Sequence, residues 1–325
     1  VCSVIFTACF MLGLWIGIKV MQETLPNTVW AVIPVCIMLL SIVGNVLAYR
    51  VNGLHVDEQY LVISQGMFAK KIKTIPYGKI YDAKDIWTRD FMPIQLEENV
   101  FLKYQYAPDY LVKIEKRKSY ITDCTEACLK LGIQYRETDI VIDGGNVVLC
   151  GDNVVMTDKV FTENNRDKYD VDFLKQLEDT FGHKVIIIPW HATGTLEDEE
   201  ADVYGHADGF IKYCGANRIL MGNHRDSEED EAIKIRQILE ENGYTVTEML
   251  FTVQEPRYDL NWAYINFLQV GNNIILPKFG INEDEQAKRF VQTAFPYCRI
   301  RQIDCNVIAK DGGALHCITW NIKKS

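Results

Sequence analysis

Hydrophobic and polar positions divide the chain into two unlike parts. Residues 1–20 carry a single charge, Lys19, residues 29–49 carry none, and the polar stretch 21–28 lies between them. Each run has about the ~20 apolar residues that cross a bilayer as a helix, so residues 1–50 are expected to form a two-helix transmembrane hairpin. Arg50, Lys70, Lys71 and Lys73 follow the second run, which by the positive-inside tendency places the rest of a membrane-anchored chain in the cytoplasm. If residues 1–83 are joined to the rest by error, the remainder is expected to be cytoplasmic. Alternation from Tyr60 to Ser64, a turn at Gln65-Gly66 and a second run through Ile75 predict a β-hairpin within 51–83.

Past residue 85 the pattern becomes that of a repeating α/β chain. Three stretches, 140–189, 207–250 and 262–303, share the order strand, strand, helix, strand, and 97–138 follows it less regularly. Helices are expected at 122–131, 170–181, 227–242 and 283–295, and strands at 153–157, 207–213 and 262–270 among others. A last strand is expected at 315–322, paired with the N-terminal side as in a propeller closed from both chain ends. The expected domains are the hairpin 1–50, a partial β-domain 51–83 and a repeat domain 84–325.

Composition narrows the partners. A net charge of −10 argues against nucleic acid, which calls for a basic face, and suits a cationic small substrate. The ten cysteines are scattered without the spacing of a disulfide framework. Cys124 and Cys128 are four apart and lack a second pair, so they do not form a zinc motif.

Polar motifs recur at one place in each repeat: Trp87-Thr88-Arg89-Asp90, Asp143-Gly144-Gly145-Asn146, Gly205-His206-Ala207-Asp208-Gly209, Asn261 to Asn266, and Gly312-Gly313-Ala314-Leu315-His316-Cys317. Units stacked around an axis would bring these loops to one pocket. That pocket would hold one thiol, one imidazole and the carboxylates Asp90, Asp143 and Asp208. Carboxylates beside a thiol disfavour its ionisation, so they make poor company for a cysteine protease. They suit a substrate that is itself a planar cation, whose N–H fork two carboxylates can bind and whose charge helps generate the thiolate. His316 and Cys317, adjacent on an expected strand, would point to opposite faces. That speaks against a metal shared with His206 and Asp208, and no metal or other cofactor is expected. Arg89 is expected only to hold its loop through an ion pair. The acidic run 196–202 is expected to be a solvated loop ahead of His206, with a lid that favours cationic substrates as the alternative.

The motif 86–93, Ile-Trp-Thr-Arg-Asp-Phe-Met-Pro, together with Asp143-Gly144-Gly145-Asn146, Gly205-His206-Ala207-Asp208 and the segment 312–317, resembles the agmatine deiminase and Porphyromonas-type peptidylarginine deiminase family, over about 84–325. The resemblance implies a five-bladed α/β propeller, the pentein fold, with an atypical or incomplete first blade because 51–83 stands where the family has its own strand and helix. It implies metal-free hydrolysis of a guanidinium to a ureido group plus ammonia. Position by position, Cys317 matches the nucleophile, His206 the general acid and base, and Asp90 and Asp208 the pair that grips the guanidinium. Asp143, Asn146, Trp87 and Gly313 match the substrate lining. Agmatine-specific members carry Glu at the place of Asp143, Asn at that of Ala314 and Gly at that of Met92, so either a small guanidine or a peptide arginine remains the expected substrate. An oligomer is compatible with the pattern. The paired strands of 51–83 separately resemble the start of a bacterial membrane-anchored domain of pleckstrin-homology type. Two other functions stay open: amidino transfer to an amine, and an inactive membrane-associated interaction module.

Overall fold

The computed structural model describes residues 53–56, 60–65, 71–76, 84–192, 204–252 and 259–323. The chain divides into two units, Val1–Ile80 and Tyr81–Ser325. In the first, β1 (Gly53–Val56), β2 (Tyr60–Gln65) and β3 (Lys71–Pro76) form an antiparallel sheet in the order β1-β2-β3. The expected hairpin is therefore present as β2 and β3, with one further strand on the other edge of β2. The apolar runs at 1–20 and 29–49 lie outside the described residues. Among the described residues, no helix is long and apolar enough to cross a membrane.

The second unit repeats one plan four times among its described residues. The first sheet is β4 (Ile94–Glu97), β5 (Val100–Gln105) and β6 (Tyr135–Val141), with helix α1 (Thr125–Leu131) between the last two. The second is β7 (Val148–Cys150), β8 (Asn153–Thr157) and β9 (Lys184–Ile188), with α2 (Val171–Phe181). The third is β10 (Ile211–Tyr213), β11 (Arg218–Met221) and β12 (Thr245–Glu248), with α3 (Glu229–Glu241). The fourth is β13 (Leu268–Val270), β14 (Asn273–Lys278) and β15 (Arg299–Asp304), with α4 (Glu283–Ala294). In each the first pair is antiparallel and the second parallel. A helical crossover is what a parallel neighbour requires.

The middle strands show why this plan forms. Val154, Val155, Met156 and Thr157 of β8 are all buried, as expected of a run without polar alternation that is covered on both faces. Helix α2 presents Phe173, Leu177 and Phe181 at spacings of four, which place them on one stripe, and all three are buried. Each such side chain contributes roughly 1.5–3 kcal/mol by leaving water. Asp170 starts the helix by accepting a hydrogen bond from the Phe173 N–H at 3.0 Å. Ala232, Ile235 and Leu239 on α3, and Ala287 and Val291 on α4, serve the later repeats in the same way.

Three strand expectations are corrected. The starts of the expected strands 207–213 and 262–270 are short 3-10 turns, 207–209 and 261–265, with strand only from Ile211 and Leu268. The expected strand 315–322 is not a strand: residues 315–318 form a turn in which Ile318 N–H donates to the Ala314 carbonyl and Thr319 N–H to the His316 carbonyl. The C-terminal segment still closes onto the first repeat, without a β-ladder. Trp320 Nε1 donates to the Pro93 carbonyl at 2.7 Å, and the Gln95 side chain pairs with the backbone of Lys323.

Candidate active site

A short helical turn stands immediately before the first strand of every repeat. These turns span 88–91, 144–146, 207–209 and 261–265, and the C-terminal turn 315–318 makes a fifth. Hydrogen bonds join them to one another. Gly145 N–H donates to Asp90 Oδ1 at 3.1 Å, linking the first to the second. Asn146 Oδ1 accepts from Ala207 N–H at 3.3 Å and from Thr157 N–H at 2.8 Å, linking the second to the third. Asp208 Oδ2 accepts from His316 Nδ1 at 2.5 Å, linking the third to the C-terminal turn. Asn266, just after the fourth turn, accepts on Oδ1 from the backbone N–H groups of Ala314, His316 and Cys317. Arg89 N–H closes the circuit on the Cys317 carbonyl at 2.9 Å. The motifs that lie about 55 to 60 residues apart in the chain thus meet in space.

Cys317, Asp90, Asp143 and Asp208 are buried, and His206 is nearly so. The thiol sulfur lies 3.1 Å from Asn266 Nδ2 and 3.9 Å from Asp208 Oδ2. Its pKa is held well above the ordinary thiol range by burial and then by the charges of Asp208 and Asp90. His206 Nε2 lies 2.8 Å from Asp143 Oδ2, and its Nδ1 lies 3.8 Å from Asp90 Oδ1. Burial pushes the imidazole pKa down, but the Asp143 and Asp90 charges outweigh it and raise it to about 10, so the ring is a cation at neutral pH. Asp90 is pushed well above the usual carboxylate range by burial and the Asp143 charge, with His206 opposing. Asp208 goes the other way: burial raises it, but the hydrogen bond from His316 and the charges around it hold it below its ordinary value.

Two carboxylate oxygens in this set, Asp143 Oδ1 and Asp208 Oδ1, are buried and have no hydrogen-bond partner among the described residues. The other oxygen of Asp143 accepts from the Tyr110 hydroxyl. Buried acceptors of this kind cost stability unless something donates to them. Asp90, Asp143 and His206 also bring one ligand atom each within 4.8 Å of one another, close enough to share one cation. The open oxygens of Asp143 and Asp208 suit a cation that donates hydrogen bonds.

Packing keeps the pocket tight. A Cβ on Gly145 would lie 2.4 Å from His206 Nδ1 and 2.8 Å from Asp90 Oδ1, and one on Gly313 would lie 2.3 Å from the Trp87 ring. Half-buried Trp87 thus covers the turn that leads to Cys317. A Gly145→Ala variant should stay folded yet lose roughly 100-fold or more in turnover, because displacing the imidazole and Asp90 by even ~1 Å has that cost. Steady-state kinetics with melting as a control check it, and native turnover would mean that this contact does not set the geometry.

All eight residues expected from the sequence are found here, although Asn146 spends its side-chain oxygen joining two repeats. Two expectations are corrected. His316 and Cys317 do not face apart; both approach Asp208, because they sit in a turn and not on a strand. Arg89 holds its loop through Asn321 Oδ1 at 2.9 Å, and among the described residues it forms no ion pair. Asn266, Tyr110 and His316 were missed. Lys212 was missed as well; it lies half-buried beside the site with Nζ donating to the Phe267 carbonyl at 3.2 Å, and desolvation pulls its pKa to about 7. Asn266, as the last residue of the fourth motif, and His316, beside Cys317 in the fifth, had a signal in the sequence. The acidic run 196–202 lies outside the described residues.

A family model for the Porphyromonas-type peptidyl-arginine deiminases matches residues 41–322. The chain belongs to that family. Because the match runs through 51–83, it also takes in the stretch likened to a pleckstrin-type domain, and that second resemblance has no support. Among similar deiminases, the agmatine deiminase of Pseudomonas aeruginosa strain UCBPP-PA14 is 26% identical over 57% of this chain and 58% of its own length. This deiminase-family chain spans about three fifths of the length of the curated relatives it matches. Among solved structures, C. jejuni agmatine deiminase aligns with a TM-score of 0.55 at 20% identity, covering 74% of this chain and 72% of that one. The Enterococcus faecalis enzyme aligns at 0.54 and 18%, covering 71% and 73%. The fold is therefore the α/β pentein fold of these deiminases.

Proposed function

We propose that this chain hydrolyses a guanidinium group to a ureido group and ammonia through a covalent adduct on Cys317. The observation that carries the reading is the meeting of a buried thiol, an imidazole held between Asp90 and Asp143, and two carboxylate oxygens without a donor among the described residues. Asp90 and Asp208 hold the guanidinium nitrogens, Asp143 adds an acceptor, and Trp87 and Gly313 bound the substrate beside the nucleophile. The substrate's positive charge offsets the carboxylates that suppress thiol ionisation, so the nucleophile forms only when the site is filled.

In the first half-reaction the thiol proton passes to solvent, the S–C bond forms, a C–N bond breaks, and ammonia leaves carrying the proton of His206, which is left neutral. His206, held protonated, is the donor to the departing nitrogen. In the second half, His206 takes a proton from water, the C–O bond forms and the C–S bond breaks. The thiol is regenerated and the released proton ends on ammonia as ammonium.

Ammonia and ureido product should be measured with agmatine, free arginine and a peptide ending in arginine, using the full chain. Turnover of one of these, with an acid-stable amidino adduct on Cys317 by mass spectrometry, is the expected result. Absence of ammonia from all three with cooperatively melting protein would overturn the reading, and transfer to an added amine without ammonia would replace it with amidino transfer.

A further inference from the structure

Asp208 is the one carboxylate in the cluster that a second histidine holds. Its Oδ2 accepts from His316 Nδ1 at 2.5 Å and lies 3.9 Å from Cys317 Sγ, while Oδ1 has no partner among the described residues. An aspartate side chain turns freely about two bonds, so without an anchor its open oxygen has no fixed direction. The anchor here is itself anchored. His316 N–H is bound by both Asn266 Oδ1 and the Asn266 carbonyl, and the next N–H, that of Cys317, is bound by the same Oδ1. Asn266 also donates to the thiol sulfur. Nucleophile, imidazole and carboxylate are therefore mounted on one side chain.

We propose that His316 is a positioning residue of the reaction, donating from Nδ1 to Asp208 Oδ2 so that Oδ1 stays anionic and aimed at the guanidinium beside Cys317. This rests on the deiminase reading and adds to it a residue that does not itself touch substrate. The charge state of the ring matters as much as its place. A cationic His316 would cancel the charge that Asp208 offers and repel the substrate. Burial, followed by the charges of Arg89 and Lys212, pulls its pKa down to about 3 against the opposing pull of Asp208. The ring is thus a neutral donor with its proton fixed on Nδ1, and His206, between Asp90 and Asp143, is a cation. The two histidines of the site divide the work: one delivers protons and the other aims a carboxylate.

The test compares His316→Leu, which removes the donor, with His316→Asn, whose amide nitrogen takes the place of ring Nδ1. Each full-length protein is alkylated at Cys317 with 2-chloroacetamidine, a small cation of guanidinium shape, and with neutral iodoacetamide. The native protein should prefer the cationic reagent. Leu should reduce that preference roughly 10- to 100-fold, the worth of one charge-assisted hydrogen bond, and Asn should restore most of it. The acid limb of ammonia release should also move to higher pH in Leu and not in Asn, since Asp208 then protonates more readily. If the native protein shows no preference, the deiminase reading fails and this inference with it. If the native preference survives in a cooperatively melting Leu variant, or is lost equally in Asn, the positioning role alone is overturned. Should Leu not fold, nitrogen NMR of native His316 decides. A neutral ring with its proton on Nδ1 from pH 5 to 8 supports the role, and a cationic ring or the other tautomer overturns it.

Discussion

Ammonia release from the preferred guanidine is expected to fall to background in a Cys317→Ala variant, a loss on the order of 10⁶ in turnover, as for removal of other covalent nucleophiles. Binding of the same guanidine, measured by calorimetry, should change by less than about tenfold, because Asp90, Asp143 and Asp208 remain to hold the cation. The separation of the two effects is the informative part. In the free protein the thiol is held protonated by burial and by Asp208 and Asp90, so the sulfur contributes little to ground-state binding and almost everything to the chemical step. A Cys317→Ala protein that kept even a hundredth of native turnover would place the nucleophile elsewhere. One that lost binding and turnover together would mean that the turn 315–318 had collapsed.

Much of the scaffold is legible in the sequence. The helix expected at 170–181 is found at Val171–Phe181, and the strand expected at 153–157 is found at Asn153–Thr157. Their apolar spacing is long and regular enough to leave one solution. The catalytic turns are less legible. Gly205 to Gly209 and Asn261 to Asn266 are too short to show a period, and the strands that follow lend them a false alternation. In Leu315-His316-Cys317-Ile318 the alternation of apolar and polar residues imitates a strand. The backbone bonds of that segment are local, from Ile318 to Ala314 and from Thr319 to His316. In such a turn, neighbouring side chains are not thrown to opposite faces as they are on a strand, and so His316 and Cys317 both reach Asp208.

The partners of the site were harder to see than its members. Asn266 and Cys317 are 51 residues apart, Asp208 and His316 are 108, and Tyr110 and Asp143 are 33. Motif spacing places whole turns near one axis, but it does not say which side chain of one turn meets which of another. That information lies in the tertiary hydrogen bonds. It also decides the electrostatics, since Asp90 and Asp208 have similar burial and yet shift in opposite directions: Asp90 has the Asp143 carboxylate beside it, whereas the His316 hydrogen bond and the positive charges around Asp208 hold it down.

Replacing His206 by Gln is expected to lower turnover by roughly 10²- to 10⁴-fold, the usual worth of a positioned proton donor, and to change how stability depends on pH. The imidazole titrates near 10 in the folded protein and near ~6.5 when unfolded. A raised folded pKa means that the native state binds this proton more tightly than the unfolded chain does. The stabilisation is therefore fully present below about pH 6.5 and is lost progressively as the pH rises through about 10. Native protein should accordingly show a falling melting temperature over that window, and the His206→Gln variant should lack this component of the slope. Equal slopes in the two proteins would mean that His206 is neutral in the free site, and the donor for departing ammonia would then have to be sought in another group. A lost slope with unchanged turnover would leave the cation as a structural counter-charge to Asp90 and Asp143 and remove it from the chemistry. Only the joint loss fits a ring that the two carboxylates keep protonated for use.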